Sequence, residues 1–429
     1  LFTLYLEIPF GKESDLLPGY AKMYIDYLGT DKMTNAQIKQ ELYKLACDYD
    51  IGQTDDETYF KLTGLNENLP KALALINDVI DNAKVDKEAY AAAVDLLIKS
   101  QKDTKADQKS NFRALQDYGM YGAYNSTRNI LSEEQLKNMD PQKLLNSLKG
   151  LKNYKQTVLY YGPSSLKDID NLLSKTFKTA KKFTPLIKDI DNLLAKTFKT
   201  AKKFAPLPKE KRYTLQTTPQ NEVIIAPYNA KNIYMVQFHN ENKEWNPNDA
   251  AKISLFNEYF GGGMNAIVFQ EMREARALAY TASASYHMPN RLGDKDYFNT
   301  FIITQNDKMM DCIAQFNELL NNMPVRLANF DLAKQNLLKS LASTRTTKFS
   351  ILSAYMNAQK MGLNCTLSEK IYNDLPSVTF DDIINFEKTN MGHKTFKYLI
   401  LGDEKELDMK ALEKIAPIKR VTTEEIFGY

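Results

Sequence analysis

The first ten residues keep a two-residue rhythm. Phe2, Leu4, Leu6, Ile8 and Phe10 alternate with Thr3, Tyr5, Glu7 and Pro9, which predicts a strand with one buried face. The rhythm then changes. Thr34 and Gln37 form a capping-box pair, and Ile38, Leu42 and Leu45 recur at helical spacing, so a helix starts here and runs to a turn-rich stretch from Asp48 to Thr54. Residues Thr58 to Leu65 read as a second strand. Leu69, Leu73, Ile76 and Ile80 mark another helix, and Tyr90, Val94, Leu97 and Ile98 a further one. Strands interspersed with helices predict an α/β or α+β fold.

The chain also resembles itself. Asn35, Ala36, Gln40, Glu41 and Leu42 return as Asn265, Ala266, Gln270, Glu271 and Met272, each pair 230 positions apart. Just before them, Asp26-Tyr27-Leu28-Gly29 resembles Glu258-Tyr259-Phe260-Gly261, and both halves close on a strand that runs into a glycine, at Thr157 to Gly162 and Tyr398 to Gly402. Three matches in the same order predict duplicated domains, 1–210 and 216–429, with a Pro- and Lys-containing linker between them. A shorter repeat lies before that linker: residues 166–186 are copied almost unchanged at 187–207. Each copy spaces Ile, Leu and Phe as an amphipathic helix and ends in two lysines and a proline, which predicts a duplicated helix across 166–207. Its lysines, Lys178, Lys181, Lys182, Lys199, Lys202 and Lys203, would permit a basic docking helix; a spare surface helix is the simpler expectation.

Composition narrows the partners. With 429 residues, 43% hydrophobic content and a formal net charge of +3, the chain reads as a soluble globular protein with no expected nucleic-acid partner. No apolar run reaches the roughly 18 residues of a membrane span. The chain begins at Leu1 rather than a methionine and reads as an excerpt or a processed piece; nothing in it fixes a compartment. Cys47, Cys312 and Cys365 are far apart and odd in number, which points to packed thiols rather than disulfides.

Histidine is the commonest zinc ligand, yet His239, His287 and His393 stand alone, with no partner three to five residues away. No nucleophile elbow, Walker loop or dinucleotide loop is present. The Gly261-Gly262-Gly263 run lacks a following lysine and is expected to end one helix and turn into the next.

The segment Phe256 to Tyr286, FNEYFGGGMNAIVFQEMREARALAYTASASY, resembles the second half of pitrilysin-type (insulinase-like) zinc metallopeptidases. There a Gly-rich turn precedes a helix with an R-x-x-x-x-x-x-Y pattern, which falls here on Arg273 and Tyr280. The resemblance implies that these two side chains reach substrate backbone near a zinc held elsewhere. The first domain resembles the family in decayed form. Tyr20 and Tyr24 stand where the H-x-x-E-H helix carries its two imidazoles, Met23 where it carries the glutamate, and Asp95 is the one carboxylate near the third ligand's place. The resemblance therefore implies no metal in this chain, with zinc expected in a partner half.

The whole reading is an α+β protein of two homologous domains, each a mixed, mainly antiparallel sheet packed with helices, forming half of a clamshell. Its implied role is the non-catalytic half of a zinc metalloendopeptidase, inactive alone, working with a zinc-bearing half and a peptide substrate. The rival expectation is a non-enzymatic structural or peptide-binding subunit with the same fold.

Overall fold

The structure, a computed structural model, describes residues 1–176, 180–185, 194–200 and 204–429. The chain divides into two compact units: Leu1–Lys102 with Asn129–Arg212 and Thr347–Leu352, and Asp103–Arg128 with Tyr213–Thr346 and Ser353–Tyr429.

In chain order the first half contains β1 (Phe2–Ile8), α1 (Leu17–Ile25), α2 (Asn35–Lys44), β2 (Cys47–Gln53), β3 (Thr58–Gly64), α3 (Leu69–Asn82), α4 (Lys87–Ala106), α5 (Gln108–Tyr121), α6 (Glu133–Asn138), α7 (Pro141–Gly150), β4 (Thr157–Tyr161), α8 (Leu166–Thr176), β5 (Ala180–Pro185) and β6 (Leu194–Thr200). The first unit's sheet has the order β2-β3-β1-β4-β6-β5, antiparallel throughout. The alternation of β1 sends Phe2, Leu4, Leu6 and Ile8 into a core shared with Leu73 and Ile76 of α3 and Leu145 and Leu148 of α7. Thr34 caps α2, and the reciprocal bond from Gln37 completes the capping box.

Two expectations need correction here. The stretch Asp48 to Thr54, read as turns, is mostly β2, which pairs with β3 from Cys47↔Gly64 to Gln53↔Thr58. Its Asp and Gly residues disfavour a strand locally, but the ladder supplies backbone partners, and the Tyr59 ring lies across Gly52 where a larger residue would collide. The duplicated helix is corrected too. The first copy forms α8 only as far as Thr176 and then enters β5; in the second copy, residues 187–193 lie outside the described residues and Leu194–Thr200 is a strand. Lys178, Lys202 and Lys203 lie outside the described residues, and Lys181, Lys182 and Lys199 are on strands rather than a helix. Near-identical sequences cannot differ in local propensity, so surroundings decide. Copy one buries Ile169 and Leu173 in the core, whereas copy two pairs with the edge of β4.

The second half contains β7 (Glu222–Pro227), β8 (Asn232–His239), α9 (Ala250–Phe256), β9 (Thr281–His287), β10 (Tyr297–Gln305), α10 (Met309–Asn321), α11 (Leu327–Ser343), α12 (Phe349–Lys360), α13 (Leu367–Asp374), α14 (Phe380–Asn390), β11 (Lys397–Gly402), α15 (Met409–Ile415), β12 (Ile418–Arg420) and α16 (Thr423–Phe427). Two π-helical segments, Asn257–Gly261 and Phe269–Glu274, lie between α9 and β9. The second unit's sheet runs β12-β7-β11-β8-β10-β9, with β7 parallel to both β11 and β12 and the other pairs antiparallel. The first sheet is thus wholly antiparallel and the second mixed and mainly antiparallel, each packed with helices in an α+β architecture.

The second sheet is buried on both faces. Val223, Ile225, Met235 and Ile302 face one core, which includes Phe256 of α9, Phe316 of α10 and Ile383 of α14. Ile224, Val236, Leu399 and Leu401 face the other, with Phe112 and Leu115 of α5 and Phe427 of α16. Helix α5 is therefore part of this unit although it lies in the first half of the sequence. Lys397 of β11 holds it: the buried Nζ donates to the carbonyl of Gly119 (3.0 Å) and to Gln216 Oε1 (2.8 Å), and burial draws its pKa down.

Candidate functional site

Helix α1 carries the degenerate motif. Tyr24 is fully buried, and its hydroxyl donates to the carbonyl of Asp86 (2.9 Å) and accepts from the Asp86 amide (2.8 Å), while its ring meets the edge of Tyr90 at 5.3 Å. Tyr20 accepts from the amide of Leu131 at 2.9 Å. Burial raises the pKa of both phenols, so neither is poised to become a phenolate. Met23 is half-buried, and Asp95 is exposed on α4. Two neutral phenols with occupied oxygens, a thioether and a distant carboxylate do not fit a zinc site. Among the described residues, no three His, Cys, Asp or Glu side chains are grouped to hold a metal. The three cysteines are free, with Cys47 and Cys312 buried.

The second unit brings Arg273 and Tyr280 together, starting from a glycine. Gly261 ends the first π-helical segment pressed against the carbonyl of Ala284 on β9, where any Cβ would collide. Asn257, one turn earlier, pairs with both backbone groups of Tyr286, accepting from its amide (2.8 Å) and donating to its carbonyl (2.9 Å). The outer edge of β9 is therefore already occupied at Ala284 and Tyr286.

The second π-helical segment carries Arg273 and ends in a tight cap. The Leu278 amide donates to the carbonyl of Met272 (2.8 Å) and the Ala277 amide to that of Arg273 (3.1 Å), the paired bonds of a Schellman turn, with Ala277 in the left-handed region at φ 49°. Lys308 Nζ donates to the Ala277 carbonyl at 2.9 Å. The reversal sets Tyr280 beside Arg273 just before β9. The guanidinium carbon lies 5.3 Å from the Tyr280 ring centroid and 5.0 Å from that of Phe269, so the cation makes contact with two aromatic faces. Tyr280 is 78% exposed and the Arg273 side chain 44%. The nearest carboxylate to Arg273 Nε is that of Glu274, at 3.7 Å.

The neighbouring charges are already engaged. Glu271 binds both Arg276 and Arg326; burial opposes its ionisation, but hydrogen bonds from the two arginines outweigh that and hold the carboxyl below its ordinary value. The pair can thus offer guanidinium N–H groups and a phenol O–H to a peptide carbonyl. Those donors suit orientation and the stabilisation of developing negative charge.

Sequence reasoning missed two features. Phe269, the second ring against the guanidinium, had no signal beyond being an aromatic at i−4 from Arg273. A group of buried ionisable residues also formed from distant positions. Asp296 is raised to about 6 by burial against its bond to Tyr286, and Glu387 to about 7 by burial, with Oε1 lacking a hydrogen-bond partner. Of the three histidines, His239 is buried, bonded through Nδ1 to Thr218 and to the carbonyl of Thr395, with its pKa lowered by burial; His287 stacks on Tyr297 at 4.4 Å. A cavity of about 10 Å³ between His239, Glu241, Lys243, Tyr286, Asp296 and Asn390 has room for about one water.

Two family models match the chain: the one described as insulinase (peptidase family M16) over residues 20–128, and the one described as the peptidase M16 inactive domain over residues 155–337. No curated protein matches. Among solved structures, the peptidase M16 inactive domain from Pseudomonas fluorescens is 14% identical with a TM-score of 0.67, the match covering 94% of this chain and 93% of that one. The periplasmic protease PqqL from Escherichia coli is 15% identical with a TM-score of 0.69, over 94% of this chain and 43% of that one. A protease from Helicobacter pylori is 12% identical with a TM-score of 0.65, covering 93% and 94%. At such identities the structures speak for the fold, and the two sequence models carry the kinship: the chain belongs to peptidase family M16, the pitrilysin or insulinase type, as a peptidase-like member with inactive-type domains.

Proposed function

We propose that this chain is the non-catalytic half of a zinc-dependent endopeptidase, supplying Arg273 and Tyr280 to position a peptide, while a separate zinc-bearing half supplies the metal and the general base. The two halves would close as a clamshell around the substrate. The observation that carries this reading is the exposed stack of Arg273 on Tyr280, held by a capped turn, in a chain whose own motif helix holds two occupied phenols. Glu271 is committed to Arg276 and Arg326, and the carboxylate nearest Arg273, that of the exposed Glu274, stands 3.7 Å from Nε, while 44% of the Arg273 side chain is exposed. A peptide carbonyl would accept from the guanidinium and from the Tyr280 hydroxyl, fixing the scissile bond for attack by water activated on the partner half. Strand addition at Ala284 and Tyr286 is not part of this reading, because Asn257 and Gly261 occupy that edge.

The test is reconstitution with the cognate zinc-bearing half. Arg273→Ala is expected to lower turnover of a peptide substrate by about 10- to 100-fold, by loss of charge-assisted hydrogen bonding, with the melting temperature unchanged. Turnover that ignores the substitution would overturn the positioning role and leave the chain a structural or peptide-binding subunit.

A further inference from the structure

The Arg273 side chain has four rotatable bonds, and its ion pair, to the exposed Glu274 at 3.7 Å, is too long and too solvated to fix its guanidinium alone. Two aromatic rings add to the hold. Phe269 precedes Arg273 by four positions on the same π-helical segment, the spacing at which helical side chains meet, and the guanidinium carbon lies over its ring at 5.0 Å as well as over that of Tyr280 at 5.3 Å. Phe269 is half-buried between Val268 and Met272, both fully buried, so its backbone is anchored to the core while its ring reaches the surface. Two residues toward Arg273, Glu271 ties the segment to Arg326, and the Schellman turn fixes Tyr280. Each ring is therefore fastened independently of the guanidinium it meets. A cation held face-on by two rings keeps its N–H edges free for a ligand, whereas a carboxylate partner would consume them.

We propose that Phe269 is a positioning residue, acting through Arg273: its ring is one of the two that preorganise the guanidinium for a peptide carbonyl. The proposal rests on the peptide-positioning role assigned above to Arg273. Leucine keeps the bulk of Phe269 without its π face, and tyrosine keeps both.

In the reconstituted enzyme, Phe269→Leu is expected to lower kcat/KM by about two- to fivefold, the scale of an exposed cation–π contact, and Phe269→Tyr to restore it. The decisive arm is a double-substitution cycle. If Phe269 works through Arg273, Phe269→Leu has no further effect once Arg273→Ala is present; a purely structural contribution would persist in that background. In the isolated full chain, the Arg273 Nε–H resonance should lose the Phe269 part of its ring-current shift in the Leu variant and keep it in the Tyr variant. If Arg273→Ala depresses turnover but Phe269→Leu does not, or the Leu loss persists alongside Arg273→Ala, the positioning role of Phe269 falls while that of Arg273 stands. If Arg273→Ala is itself without effect, both fall.

Discussion

The two units place a buried aromatic at the same point of the repeated fold and use it differently. Where Asp26 to Gly29 matches Glu258 to Gly261, Tyr24 of α1 matches Phe256 of α9, and both side chains are fully buried. Phe256 is wholly apolar and packs on Phe260 at 5.1 Å and Phe386 at 5.6 Å. Tyr24 adds a hydroxyl, which the backbone of Asp86 satisfies twice. Downstream the units diverge again. In the first, Thr34 caps a regular α2; in the second, the matching segment becomes π-helical and ends in a turn that leaves Arg273 and Tyr280 in solvent. Keeping the fold at this position requires apolar volume and satisfied polar atoms. A binding site requires the opposite, polar edges open to a ligand, and at the matched segment the second unit leaves Arg273 and Tyr280 in such an exposed position.

The contrast is most exposed to test at its buried end. Tyr24→Ala is expected to destabilise the protein by about 3–5 kcal/mol, as removal of a buried aromatic does, while Tyr280→Ala should stay within about 0.5 kcal/mol because the ring is largely in water. Tyr24→Phe separates volume from hydrogen bonding: it keeps the ring and strands two Asp86 backbone groups, for a loss of about 1–3 kcal/mol. Denaturant unfolding of the three variants reads all three values. Equal losses at Tyr24 and Tyr280 would refute the division into sealed and open positions.

A second difference is in titration. Glu387 and Asp296, whose carboxyls burial raises to about 7 and about 6, both lie in the second unit. For a carboxyl raised on folding, the contribution to stability is complete below the unfolded value of about 4.3 for Glu and disappears as pH climbs through the folded value. Stability should therefore fall between about pH 4 and 7, by on the order of 3 kcal/mol for Glu387 alone. Glu387→Gln should remove that part of the slope. His239 acts in the other sense: burial lowers its pKa, so its contribution is present above about 6.5 and lost toward acid. Urea midpoints at several pH values distinguish these; parallel profiles for the Gln variant and the parent would exclude Glu387 as the source.

What the sequence disclosed follows the reach of its signals. The alternation from Phe2 to Phe10 and the Thr34–Gln37 pair are local, and β1 and α2 appear where those patterns lie. The self-match at 230 positions conveyed the two-domain plan, and the Phe256–Tyr286 segment the family, because both are comparisons of residue identity rather than inferences from propensity. Features set by distant partners were not legible. The second 21-residue copy cannot announce a strand when its twin forms a helix, since β4 decides. A π-helical turn shifts hydrogen bonds by one residue without disturbing the apolar spacing, so Phe269–Glu274 reads as ordinary helix. Asp296 and Glu387 look like surface acids in the sequence, and only the folded chain buries them.

The smallest expected effect concerns the turn that makes the second unit's site. Ala277 occupies the left-handed position of the Schellman cap, where glycine is the usual residue because a Cβ costs energy there. Ala277→Gly relieves that cost, and although glycine also loses more chain entropy on folding, the net expectation is a gain of about 0.5–1 kcal/mol. The first unit has a counterpart away from the candidate site, because α2 ends at Lys44 with Leu45 in the right-handed region and Ala46 after it is left-handed at φ 46°. A higher melting temperature with undiminished turnover in the reconstituted enzyme would show that the strain is incidental to the site. A gain in stability joined to a loss of turnover would show instead that a stiff turn at Ala277 is what holds Tyr280 against Arg273.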